Sequence, residues 1–187
     1  MHDQTSLSRW LQDQLLGQLQ RQELPLLAQF YAASAAGDMD KIQYWNNELL
    51  AFRETSELRA EEKNRGRAMG QILKSLDVDE AQEHSQVLQQ CQHAGFAWAC
   101  AQWSIPLTDS LQGFAWSWLE NAVLAAVKIV PLGQSSGQQV LFALSELVPD
   151  VVSKALRVPE QDIGFASPAV SYASSAHETQ YTRLYRS

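Results

Sequence analysis

Cysteine is scarce in this sequence. Cys91 and Cys100 are the only two, which excludes a disulfide scaffold. The apolar spacing puts both in one helix over Val87–Trp103, nine residues apart. At about 1.5 Å of rise per residue they lie roughly 13 Å apart on opposite faces and cannot bridge there. Both read as small buried apolar residues. Long uninterrupted apolar runs are also missing. The longest carry Glu120, Asn121, Lys128 or Glu146, so none reads as a membrane span. Met1-His-Asp-Gln is too polar to open a secretory signal, and the expectation is a cytoplasmic protein. Basic residues are outnumbered 14 to 21, giving a net charge of −7 and a pI near 5.0. That balance argues against nucleic acid and anionic membranes as partners.

Catalytic and metal motifs are missing as well. Gly133-x3-Gly137 lacks the Lys-Ser/Thr of a phosphate loop, and no CxxC, HExxH or Gly-x-Ser-x-Gly occurs. Cys91 and His93, two apart on a helix, point about 200° apart and cannot chelate together. Glu80 and His84 read as a chance i,i+4 pair. His177 beside Glu178 offers one imidazole, which is not a metal site. No catalytic residue, metal or cofactor is expected, and the residues favour an interaction role.

What is present is helical periodicity over 187 residues with 45% hydrophobic content. Leu7, Trp10, Leu11, Leu15 and Leu19 recur at helical spacing over Ser6–Leu19. Pro25 restarts the chain for Leu26, Leu27, Phe30, Tyr31 and Ala35. Gly37-Asp38 ends that helix, and Asp38 caps the next, with Ile42, Trp45, Leu49 and Leu50. From Arg53 to Arg67 charge is dense, with Glu61–Arg65 in the favourable i,i+4 order. Thr55, Leu58, Met69, Ile72, Leu73 and Leu76 mark its apolar seam. Asp77-Val-Asp79-Glu80 is a turn; Pro106 stops the following helix, and Thr108 or Asp109 caps the one after. With no repeat and no period-2 alternation, the expectation is an all-α single-domain bundle of about seven or eight helices. It comprises a helical domain over 1–159 and an interaction tail over 160–187.

Two features draw attention. Pro131-Leu-Gly-Gln-Ser-Ser-Gly137 separates the most apolar segments, Phe114–Val130 and Gln138–Leu147. Gly133 and Gly137 suit positive φ or close approach, and Ser135 or Ser136 suits a helix cap. The loop is either a corner in the core or a polar surface offered to a partner. Lys128, on a stripe with Ser117, Glu120 and Asn121, either pairs internally or faces outward. The tail carries His177, Glu178, Tyr181, Arg183, Leu184, Tyr185 and Arg186, residue types that anchor interfaces.

Three ordered segments resemble the UreF-type urease accessory proteins: Trp45-Asn46 with Arg53-Glu-Thr-Ser-Glu-Leu-Arg-Ala-Glu61, Ala125 through Gly137, and Ser167-Pro through Ser187. The resemblance covers nearly the whole chain. It implies an all-helical, non-enzymatic protein that homodimerises. Such proteins bind a UreD/UreH-type accessory protein, recruit the nickel-carrying GTPase UreG, and dock on apo-urease to promote nickel insertion. The partner-contacting positions it implies are Glu54, Thr55, Glu57 and Arg59 on the charged helix. They continue with Lys128, Gly133, Gln134, Ser135, Ser136 and Gly137 around the loop, and with His177, Glu178, Tyr181, Arg183, Leu184, Tyr185 and Arg186 in the tail. In the family this tail orders on partner binding; Tyr185 replaces the usual Phe. The family's apolar Pro/Gly opening is not matched here, so one N-terminal helix is expected to be absent. Two other readings stay open: direct nickel binding through His84, Cys91, His93 or His177, and activation of the partner GTPase by an arginine finger, Arg183 or Arg186.

Overall fold

A computed structural model describes residues 3–129, 132–165 and 167–180. Every regular element among them is helical, as the periodicity predicts. The chain divides into two compact units, residues 1–25 with 108–165 and residues 26–107 with 166–187.

In the first unit, α1 (Gln4–Gln14) starts on a reciprocal cap. Asp3 Oδ1 accepts from Ser6 N at 2.7 Å, and the Ser6 hydroxyl lies 3.4 Å from Asp3 N. Leu7, Leu11, Leu15 and Leu19 are all fully buried. The expected break after Leu19 does not occur. The chain continues as a π-helical segment over Leu15–Glu23 directly into α2 (Leu24–Ala35), with Leu24 N–H donating to Leu19 O. Pro25 fits because it falls in the first turn of α2, where its missing N–H is cheapest. Gly17 in the π segment seats the Phe165 ring: a Cβ there would lie 2.6 Å from Phe165 Cζ. Gly164 N donates to Arg21 O at 3.1 Å, and Phe165 N to Gln22 Oε1 at 3.2 Å.

Helix α7 (Leu107–Ile129) starts before both Thr108 and Asp109, so neither caps it, and Asp109 supports the first turn by its charge. Leu119, Val123 and Ala126 of α7 form a core with Leu7 and Leu11 of α1. Val140, Leu141 and Leu144 of α8 (Gln134–Ser145) complete that core. α9 (Val148–Ala155) carries Pro149 in its first turn and buries Val148, Val151 and Val152.

In the second unit, Gly37 at φ +65° ends α2, and Asp38 caps α3 (Met39–Ala51) by accepting from Lys41 N at 2.9 Å. α4 (Ser56–Ser75) begins on Thr55, whose side chain accepts from Leu58 N. Thr55 is thus a cap as well as a seam residue. The buried edge of α4 runs through Glu62, Gly66 and Leu73, while Ile72 and Leu76 stay exposed. The single helix expected over 87–103 is instead α5 (Ser85–Leu88), a break at 89–91, and α6 (Gln92–Gln102). Cys91 sits in extended backbone at the N-terminus of α6, so the two buried cysteines are not in one helix. The break follows from packing. A Cβ on Gly66 would lie 2.5 Å from Gln89 O and 2.7 Å from Cys91 N, so α4 presses against the 89–91 backbone itself. Gly95 seats Met69 Cγ in the same way. α6 is buried on nearly every side, consistent with its low amphipathicity. The last described helix is α10 (Pro168–Glu178).

Candidate protein-interaction site

The site grows from the first turn of α4. Its N-terminal N–H groups have no intrahelical acceptors and must find others. Thr55 supplies one from within the helix cap. Glu178, at the end of α10, supplies another: its Oε1 accepts from Glu57 N at 3.0 Å and from the Ser56 hydroxyl at 2.6 Å. These hydrogen bonds, the Ser56 hydroxyl foremost, hold the Glu178 carboxyl below its ordinary value of 4.5. Beside it, His177 Nδ1 lies 2.8 and 2.9 Å from the two carboxylate oxygens of Glu57. Thr55 Oγ1 and Ser174 Oγ share a hydrogen bond of 2.7 Å, and the Ser171 hydroxyl donates to the Glu54 carboxylate. Ser171, Ser174, His177 and Glu178 recur at intervals of three or four and therefore share one face of α10. The result is a clasp of side chains about 120 positions apart in sequence.

A second network fixes the clasp's base. Arg53 donates through Nε and Nη2 to Glu62 Oε2 at 3.2 and 2.7 Å, with Glu62 only 3% exposed. The other Glu62 oxygen accepts from Gln92 N at 3.0 Å, placing a carboxylate at the N-terminus of α6. Arg59 Nη1 donates to Arg53 O at 2.7 Å, so this expected contact residue also braces the turn into α4. The dense charge from Arg53 to Arg67 reads in the sequence as a contact face, and the pairing buried within it goes unread. The signal was there: Glu62 falls seven residues after Thr55 and four before Gly66, on the buried edge. The exposed Glu61–Arg65 pair, at 2.5 Å, is the expected solvated one.

The loop residues belong to the other unit. Lys128 is exposed in the last turn of α7. The stretch expected as a loop through 137 is shorter. Gly133, with φ −64°, is the N-terminal boundary of α8, and Gln134, Ser135, Ser136 and Gly137 form its first turn. No side-chain cap closes that helix, so neither serine caps it. Gly137 meets the close-approach expectation: a Cβ would lie 2.6 Å from Val127 Cγ2. Gln134 and Ser135 are exposed. Pro131, Tyr181, Arg183, Leu184, Tyr185, Arg186 and Ser187 lie outside the described residues.

Among the described residues no group of three or more His, Cys, Asp or Glu side chains could hold a metal ion, and no helix is long and apolar enough to cross a membrane. His84 packs edge-on to Trp98, and His93 is buried beside Phe30. The arrangement is one of exposed and half-buried polar groups over a braced helix start, a polar composition common at protein–protein contacts.

Comparison with known proteins follows the same line. The UreF family model matches residues 1–145. Urease accessory protein UreF of Alcanivorax borkumensis is 46% identical over 184 residues, covering 95% of this chain and 80% of the relative. UreF of Pseudomonas putida is 42% identical over 187 residues, covering 100% and 84%. UreF of Klebsiella pneumoniae is 40% identical over 185 residues, covering 99% and 83%.

Proposed function

The chain belongs to the UreF family of urease accessory proteins, and from that premise we propose that it acts as a non-enzymatic scaffold in nickel insertion into apo-urease. In this reading it works in the cytoplasm as a homodimer. It binds a UreD/UreH-type accessory protein and recruits a UreG-type nickel GTPase, whose hydrolysis it gates or modulates. The observation that carries the reading is the clasp itself. Two separate segments bearing the family pattern, 54–57 and 171–178, meet in one polar, partly exposed contact. Lys128 and Gln134, in the other unit, are each exposed.

A pull-down of the UreG-type GTPase through the UreD/UreH-type protein tests the reading. Combined replacement of Lys128, Gln134 and Arg186 by alanine should abolish GTPase recovery. Recovery equal to that of the unaltered chain would sink the assignment of these residues.

A further inference from the structure

Beyond its first turn, α4 is held along one edge only. Glu62, Gly66 and Leu73 are buried there, and the edge packs on α6 and the 89–91 backbone. At about 100° per residue, the side opposite that edge is a crest of Ala60, Asn64, Ala68, Gln71 and Ser75, all exposed. The two flanks of the crest differ. On one stand Lys63, Arg67 and Lys74, all exposed. Arg67 donates to Asn64 within the crest, and among the described residues none of the three cations has a carboxylate partner. On the other flank, past the Glu61–Arg65 pair, stand Ile72, 48% exposed, and Leu76, 55% exposed. Residues 63–76 hold four basic and no acidic side chains, in a chain whose net charge is −7. Lys63 and Arg67 are a like-charge i,i+4 pair, which weakens a helix, and exposed Ile72 and Leu76 keep apolar area in water.

We propose that the outward face of α4 over residues 60–76 docks an amphipathic helix of another protein, apolar along the edge that meets Ile72 and Leu76 and acidic along the edge that meets Lys63, Arg67 and Lys74. The crest sets the shape of the occupant. Its residues recur at intervals of four, four, three and four, the spacing of a helix–helix seam, over a straight run of about 22 Å. Ala60, Ala68 and Ser75 are small, so a second helix axis can approach closely. A helix offers no unpaired backbone edge, which rules out strand addition as the mode of docking here. Charge sets the kind of occupant. Acidic side chains relieve the Lys63–Arg67 repulsion, whereas a basic helix would meet four cations. Asp77, Asp79 and Glu80, all exposed, follow at once and mark the C-terminal limit of the cationic flank. The face lies beyond the clasp and uses none of its residues, so it stands apart from the assignment of partners above.

Fluorescence anisotropy with the full chain tests this. The probe is a labelled synthetic helix of alanine, leucine and glutamate, with leucines along one edge and glutamates along the next. A reference peptide has the same composition in scrambled order. The patterned probe should bind about tenfold more tightly than the scrambled one, because only it meets both flanks at once. Lys63→Glu, Arg67→Glu and Lys74→Glu together should lower its affinity about tenfold and flatten its salt dependence. Ile72→Ser with Leu76→Ser keeps every charge and should lower the affinity by about the same factor. That pair of exposed positions serves if the charge-reversed chain does not fold, with circular dichroism as the check. Equal affinity for the two peptides would overturn the proposal, and so would undiminished binding by either folded variant. A fall in the mass of the chain alone on Ile72→Ser with Leu76→Ser, read by light scattering, would overturn it too, because a second copy would then be the occupant.

Discussion

Gly66→Ala should destabilise the protein even though alanine is the better helix former. Gly66 lies in the middle of α4, where alanine gains about 1 kcal/mol of intrinsic propensity. Against this, the new Cβ would lie 2.5 Å from Gln89 O, 2.7 Å from Cys91 N and 2.7 Å from the Gln90 carbonyl carbon. All three are backbone atoms, so no side-chain rotation relieves them. The 89–91 segment must retreat by about 0.9 Å to reach ordinary contact. Overpacking of this kind costs about 1–3 kcal/mol, and rigid neighbours on both sides put it near the top of that range. The retreat also lengthens the 3.0 Å bond from Gln92 N to Glu62, loosening the start of α6. The net expectation is a loss of about 2 kcal/mol. With a urea m-value of about 2 kcal/mol per molar, the midpoint followed by circular dichroism should fall by about 1 M. Gly113→Ala is the internal control. It is also mid-helix, in α7, but a Cβ there meets nothing within 4 Å, so it should stabilise by about 1 kcal/mol. If Gly66→Ala matches Gly113→Ala in sign and size, the close packing of α4 on the 89–91 backbone is refuted.

Other expectations follow from single contacts. Thr55→Ala removes the α4 cap and the bond to Ser174, and should cost about 1–2 kcal/mol in thermal or urea unfolding. Lys128→Ala and Gln134→Ala, both at exposed positions, should leave the unfolding midpoint within about 0.5 kcal/mol of the unaltered chain while weakening GTPase recruitment. Equilibrium dialysis of the chain alone should find negligible nickel binding. Tight stoichiometric binding would instead favour direct metal carriage by His84, Cys91, His93 or His177.

Much of the helical layout was legible because local rules govern it. Leu7, Leu11, Leu15 and Leu19 repeat at core spacing, and all are buried. Gly37 and Asp38 mark a helix end and a helix start by their own backbone chemistry. The failures have equally specific causes. Pro25 looked like a break because proline disfavours helix interiors, yet the π-helical turn before it lets the chain run on. Residues 87–103 looked continuous because the breaking force is external, the backbone of 89–91 lying against Gly66. The Arg53–Glu62 pair leaves no mark in the sequence pattern, because only tertiary pairing buries two residue types that are usually exposed. The clasp joins residues 117 to 122 positions apart, and no local periodicity records such a pairing. Five of its members, Glu54, Thr55, Glu57, His177 and Glu178, fall among the positions expected to contact a partner, whereas Ser56, Ser171 and Ser174 do not.

The most direct test of the scaffold reading is size-exclusion chromatography with light scattering. The chain is co-expressed with a UreD/UreH-type protein and a UreG-type GTPase, both intact and ending at residue 166. The intact chain should co-elute in a complex, and the shortened chain, deprived of α10 and everything beyond it, should not. Equal entry of both chains into the complex would contradict the claim that the clasped tail helps form the docking surface.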